Sequence, residues 1–137
     1  MSKIKVFCFG FGQVAKYFVK KIIKENQIIE LNISSRQKTN MKTFKGINFN
    51  SYEFNDEKKD KDIDIKIKEA DCILISIPPI TGEDVVIKNF KENFKNVETK
   101  WITYLSATSV YGNHDGEWVN ESSITRPTTT SGISRLK

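Results

Sequence analysis

The sequence predicts an α/β fold with a doubly wound, mostly parallel sheet, and two observations carry that expectation. Short apolar runs of strand character alternate with stretches of helical periodicity, and a glycine-rich turn stands at the first junction between them. Size agrees: 137 residues, 38% of them hydrophobic and 28% charged, suffice for one globular core and fall short of two.

The elements follow in order. Residues 4–9 (IKVFCF) are rich in β-branched and aromatic residues, as expected of a strand buried on both faces. After Gly10-Phe11-Gly12 the period changes to that of a helix, with Val14, Phe18, Ile22 and Ile23 on one face and Lys16, Lys20, Lys21 and Lys24 largely elsewhere. Residues 28–33 form a second strand candidate that stops at Ser34-Ser35-Arg36, and residues 47–54 a weaker third. Ile63, Ile65 and Ile67 alternate as a strand would. Ile63, Ile67 and Ala70 also share a helical face, and a helix is what a crossover between parallel strands needs, so helix is preferred. Residues 72–77 make the clearest strand, ended by Pro78-Pro79; residues 85–94 read as helix and 101–106 as a further strand. From about residue 113 to 130 polar and turn-forming residues dominate, which predicts an ordered or partly ordered surface loop.

Composition bears on function class. The net charge of +5 is dispersed, and the most charged stretch, residues 56–62, mixes signs, which argues against a nucleic-acid-binding stripe. Cys8 and Cys72 lie inside apolar runs, as buried thiols in a reducing compartment do. With His114 the single histidine, neither a disulfide nor a structural metal is expected. No run approaches 18 apolar residues, and no signal-peptide pattern opens the chain. A cytoplasmic protein that does not engage a membrane is therefore expected.

Gly10-Phe11-Gly12-Gln13-Val14-Ala15 matches the G-x-G-x-x-G/A pattern between a strand and a helix. There the first glycine permits the tight turn, the second removes a side chain that would obstruct a pyrophosphate, and Ala15 allows close helix–strand packing. The helix N-terminus offers the anion free N–H groups and a partial positive charge. An acidic residue at the end of the second strand would hold a ribose 2′-hydroxyl. Glu30 lies inside that strand instead, and the strand end presents Ser34, Ser35 and Arg36 with Lys38 close by. Hydroxyls and a guanidinium suit a 2′-phosphate, so NADP(H) is expected ahead of NAD(H). The cofactor-binding candidates are Gly10, Gly12, Gln13, Val14, Ser35, Arg36 and Pro78.

Tyr104-Leu105-Ser106-Ala107-Thr108-Ser109-Val110-Tyr111-Gly112, its continuation to Ser122, and Pro127 before Ser131-Gly132-Ile133-Ser134-Arg135 carry a further signal. They resemble the extended and atypical short-chain dehydrogenases/reductases, the NAD(P)-dependent epimerase/dehydratase-like family. The resemblance spans nearly the whole chain. It implies a Rossmann-type fold (its N-terminal part only), an NAD(P) cofactor, a nucleotide-sugar or other small-molecule substrate, and a Ser/Thr, Tyr, Lys catalytic set. This sequence departs from that set. Ala107 stands where the family has Ser or Thr, and Ser131 and Arg135 occupy the Tyr and Lys positions. Ser106, Thr108 and Tyr111 remain as weak catalytic candidates, better suited to satisfying backbone or ribose groups. His114 reads as an exposed loop residue rather than a general base. The family would continue into later strands and a substrate-binding part that residues 1–137 do not include. The expectation is an NADP(H)-binding domain of an epimerase/dehydratase-like oxidoreductase, catalytically incomplete, or else a non-catalytic NADP(H)-binding sensor or interaction module. A homodimer through a helix face formed by Val85, Val86, Phe90 and Phe94 is a further expectation.

Overall fold

A computed structural model describes residues 3–25, 29–80, 82–99 and 101–137. In chain order they form β1 (Ile4–Phe9), α1 (Gln13–Lys24), β2 (Ile29–Ser35), β3 (Asn40–Phe44), β4 (Ile47–Glu53), α2 (Asp62–Glu69), β5 (Cys72–Ile75), α3 (Val85–Lys95), β6 (Trp101–Tyr104) and α4 (Thr130–Leu136). A 3-10 turn, Thr108–Val110, precedes α4.

One sheet holds the strands in the order β3-β4-β2-β1-β5-β6. All neighbours pair in parallel except β3, which is antiparallel to β4. From β1 the chain steps one way to β2 and β4, then crosses back to β5 and β6. The order therefore reverses between β1 and β5, the place where open α/β sheets form a crevice. This is the doubly wound, mostly parallel Rossmann-type arrangement that the alternation of elements predicts.

β1 explains why its sequence has no polar face. Val6 and Cys8 point into one apolar cluster with Ala15 and Val19 of α1, while Phe7 and Phe9 point into another with Ile63, Ile67, Val86 and Phe90. Both faces of the strand are covered, so alternation disappears. Phe9 meets Phe7, Phe54, Phe90 and Phe94 with ring centroids 4.9 to 6.2 Å apart, in edge-on or tilted arrangements. Burial of each of the rings of Phe7, Phe9, Phe54 and Phe90 stabilises the fold by about 1.5–3 kcal/mol.

The helical reading of residues 62–69 holds: Ile63 and Ile67 are fully buried, Ala70 nearly so, and Ile65 is left exposed. In α1 the buried row differs from expectation. Ala15 and Val19 are buried, and Phe18, Ile22 and Ile23 pack partly beside them, whereas Val14 is 56% exposed. A stripe centred on Ala15 and Val19 puts Val14 one residue, or about 100°, away from the sheet.

Three further differences have physical causes. β3 was not expected. It forms a hairpin with β4 through Lys45-Gly46, both at positive φ (48° and 78°), the conformation of a two-residue turn that matches strand twist. β5 and β6 end at Ile75 and Tyr104, two residues short of the expected ends, because the chain then turns away towards Pro78 and towards the 3-10 turn. Finally, the α3 face expected to join two copies is spent inside the chain: Val86 and Phe90 are fully buried, and Val85 and Phe94 pack against the same core. The sheet face above α3 needs that cover, so the face is not an outer surface. Residue 28, expected to open the second strand, lies outside the described residues.

Candidate functional site

The site grows out of the β1–α1 turn. Gly10 has φ +85° and Gly12 caps α1 in an extended conformation (φ −82°, ψ −164°) with no side-chain acceptor for the helix's first N–H groups. No acidic residue occupies the first turn of α1, so the positive end of the helix dipole is uncompensated. A Cβ at Gly10 would stand 3.1 Å from Ser76 Oγ and 3.2 Å from Ile77 Cγ1, whereas one at Gly12 would meet nothing within 4 Å. The first glycine is thus needed by the backbone, and the second leaves open space in front of the helix.

That space is part of a cleft of about 660 Å³ at the carboxyl ends of β1, β2, β4 and β5. All seven residues expected to hold a cofactor, Gly10, Gly12, Gln13, Val14, Ser35, Arg36 and Pro78, line it. Lys38 does not; it is exposed on the turn after Arg36. Glu30 sits near the other end of β2, where its carboxylate pairs with Lys3 at 3.6 Å.

Residues that the sequence reading did not single out complete the walls: Phe54, Asn55 and Asp56 beyond β4, Ser76 and Ile77 beyond β5, and Leu105 beyond β6. Asn55 is an organiser of this rim. Its Oδ1 accepts from the N–H groups of Glu57 and Lys58, both at 2.9 Å, and its Nδ2 donates to the carbonyl of Arg36 at 3.2 Å. Phe54 N–H donates to the Ser35 carbonyl at 2.8 Å, and Ser51 Oγ lies 3.0 Å from Ser35 Oγ, so the end of β2 is fixed from β4. Ser34 lines the same cleft, fully buried, and its Oγ has no hydrogen-bond partner among the described residues. A signal for these residues existed: each lies at the carboxyl end of a parallel strand or within three residues beyond it, where α/β sheets place their ligand contacts.

The remaining candidates lie apart from the cleft's lining. Ser106 and Thr108 are exposed, and Tyr111 is half-buried with its carbonyl accepting from Arg126 N–H at 3.1 Å. His114 is not a plain exposed loop residue. Its Nε2 lies 3.0 Å from both the Tyr111 and the Ile124 carbonyls, so this nitrogen carries the proton, and Nδ1 faces Arg126 at 3.4 Å. The histidine staples the two ends of the polar loop. In α4, Ser131 is exposed, Ser134 is buried with its hydroxyl donating to the Thr130 carbonyl at 2.7 Å, and the Arg135 guanidinium donates to the Leu105 carbonyl.

Beside α4, Tyr104 donates to Asp84 Oδ2 at 2.6 Å, while Asp84 Oδ1 accepts from Val86 and Ile87 N–H at the start of α3. Burial, then the hydrogen bond to Asp84 and its charge, push the Tyr104 phenol from 10.0 up to about 12. Cys8, in the strand before the glycine turn, is held neutral: burial first, and Cys72 second, raise its thiol to about 12. Among the described residues no cluster of metal-ligating side chains is present, and no helix is long and apolar enough to cross a membrane.

Fold and cleft together define the class: a Rossmann-type α/β domain with its opening at the topological switch point. No protein-family model and no curated protein matches the chain. Solved structures do. A functionally unknown conserved protein from Silicibacter pomeroyi is similar over 96% of this chain and 46% of its own, with TM-score 0.71 and 24% identity. UDP-glucuronic acid 4-epimerase from Bacillus cereus, solved with NAD, is similar over 97% and 49%, with TM-score 0.72 and 14% identity. UDP-N-acetylglucosamine 4-epimerase from Methanobrevibacter ruminantium is similar over 98% and 47%, with TM-score 0.72 and 16% identity. At these identities the likeness establishes the fold, and the chain spans about half the length of the structures it matches.

Proposed function

We propose that residues 1–137 form a nicotinamide-dinucleotide-binding domain of an epimerase/dehydratase-like oxidoreductase, with NADP(H) preferred over NAD(H). The observation that carries the proposal is the meeting, in one cleft, of the open space at Gly12, the uncapped start of α1, and Arg36 at the end of β2. These residues fit the group. The α1 amides offer donors to a pyrophosphate, Ser34 Oγ is a buried hydroxyl with no partner among the described residues, and Arg36 offers a bidentate fork to a 2′-phosphate. When bound, the nicotinamide supplies hydride transfer; the chain's part is to bind and orient it. The similar fold of a 4-epimerase solved with NAD supports this choice of ligand class.

A second reading, binding without turnover by this chain, is favoured by one specific observation. The Arg135 guanidinium, at the position of the family's lysine, is engaged with the Leu105 carbonyl, and Ser131 supplies no phenol. Nucleotide-sugar substrates and a homodimer belong to the same set of proposals.

Thermal unfolding tests the first reading. At a ligand concentration a hundred times Kd, binding stabilises by about 2.7 kcal/mol, a rise of about 10 °C for a chain of this size. NADP(H) is expected to give the larger shift, and Arg36→Ala to reduce it to that of NAD(H). No shift with either dinucleotide would overturn the proposal, and an unchanged NADP(H) shift in Arg36→Ala would overturn the preference. A turnover assay with NADP+ and UDP-sugars then separates the two readings.

A further inference from the structure

Behind Arg36, on the side of the β3–β4 hairpin, lies a second cavity of about 480 Å³. It shares Phe11, Ser35 and Arg36 with the main cleft, so the two are adjoining compartments of one surface. Three cations line it, each from a different element: Lys16 from α1, Arg36 from the end of β2, and Lys42 from β3. No carboxylate lines it.

These three cations share one cavity that no carboxylate lines. Six other lysines stand within 3.6 Å of a carboxylate. Among the described residues, Lys16, Arg36 and Lys42 have no such partner. The Lys42 ammonium donates to the neutral Gln37 Oε1 at 3.3 Å, and the Lys16 ammonium stands 5.9 Å from the centre of the Phe11 ring. Three uncompensated positive charges around one cavity repel each other, and a doubly charged anion between them would turn that repulsion into attraction. The floor is firm: Phe11 packs edge-on against Phe44 and tilted against Phe49, both with centroids 5.3 Å away. The hairpin that carries Lys42 is thereby locked to the glycine turn.

We propose that Lys16, Arg36 and Lys42 form a phosphomonoester site, and that it takes the 2′-phosphate of the dinucleotide lying in the main cleft. The inference rests on the dinucleotide reading above and adds two residues, from α1 and from β3, to the single guanidinium at the end of β2. The β3 hairpin then acts as a specificity element, because it brings a cation to the rim of the adenosine side. A phosphate from another source, such as a free phosphomonoester, has the same chemistry. The dinucleotide is favoured because the shared wall of Phe11, Ser35 and Arg36 makes one ligand able to reach both compartments.

The test is calorimetric titration of the wild type, Lys42→Met, Lys42→Arg and Lys16→Met with NADP+, NAD+ and inorganic phosphate, with melting curves as folding controls. Lys42 is a half-buried residue on an edge strand and makes no ion pair, so Lys42→Met is expected to fold. Each methionine variant should weaken NADP+ by about tenfold and leave NAD+ within about twofold, while Lys42→Arg restores NADP+ binding. Equal losses for NADP+ and NAD+, or no loss for either, would overturn the inference and leave the dinucleotide reading standing. Inorganic phosphate binding as tightly as NADP+ would assign the site to a free phosphomonoester and overturn it too. A folded wild type that binds neither dinucleotide would overturn both.

Discussion

The two glycines of the β1–α1 turn make different demands, and paired substitutions separate them. At Gly10 the backbone is left-handed (φ +85°), a conformation that costs an L-residue about 1–2 kcal/mol. An added methyl would also press on Ser76 Oγ at 3.1 Å and Ile77 Cγ1 at 3.2 Å. Ser76 Oγ donates to the Phe9 carbonyl at 2.9 Å, and displacing it endangers a hydrogen bond worth about 1 kcal/mol. Gly10→Ala should therefore lose about 2–3 kcal/mol, which at this chain length lowers Tm by roughly 10 °C. Gly12 has an ordinary extended φ, and its added methyl meets no atom within 4 Å. Gly12→Ala should melt at or slightly above the wild-type temperature, since alanine narrows the unfolded ensemble by about 0.4–1 kcal/mol. On the proposed dinucleotide reading it should nevertheless lose affinity, because the methyl would stand where a pyrophosphate is proposed to approach. Melting by circular dichroism and a fluorescence titration with NADP(H) read the two effects separately. A Gly10→Ala protein as stable as wild type would refute the strain argument; a Gly12→Ala protein with full affinity would refute the placement of the pyrophosphate.

Two other expectations concern the far side of the sheet. With its phenol raised from 10.0 to about 12, Tyr104 holds its proton more tightly folded than unfolded; the stabilisation is complete below about pH 10 and fades as pH climbs towards 12. The absorbance titration of wild type minus Tyr104→Phe should have its midpoint near 12, and a midpoint near 10 would contradict the burial and the Asp84 contact. Gly132→Ala places a Cβ 2.5 Å from the Ser109 carbonyl oxygen and 3.0 Å from Pro127 Cβ, and a backbone oxygen has little room to yield. A loss of about 1–3 kcal/mol and faster amide exchange across α4 are expected, and wild-type exchange there would refute the close approach of Gly132 to Ser109 in the 3-10 turn.

How far the sequence foretells this molecule depends on whether a residue's role is local. Strand β1, the glycine turn and Arg36 were legible because their signals are contiguous: an apolar run, a fixed glycine spacing, a strand end. The choice of helix for residues 62–69 succeeded because topology demanded a crossover that the isoleucine alternation alone would have denied. β3 was missed because half of its evidence lies in its partner. Met41 and Thr43 are exposed, and only pairing with β4 across Lys45-Gly46 makes the segment a strand. The part of the cleft formed by Phe54, Asn55 and Ser76 was hidden for a similar reason. These residues belong to two strand ends, of β4 and β5, that come together only once the sheet order is known. The α3 face was misjudged because amphipathicity states that a face must be covered without saying by what.

The alternation of β1 has a consequence for how the domain comes apart. Val6 and Cys8 belong to one hydrophobic cluster, and Phe7 and Phe9 to the other, so a single six-residue strand is a party wall between two interiors. Peeling α1 away strips one side of that wall, and the strand it exposes is also the support of α2 and α3. Exposing either side uncovers apolar residues of the shared strand, so the two halves are expected to melt together, and the Gly10–Gly12 turn at the wall's end depends on both. Loosening a residue under α3 should therefore be felt at the mouth of the cleft, at the carboxyl ends of the strands.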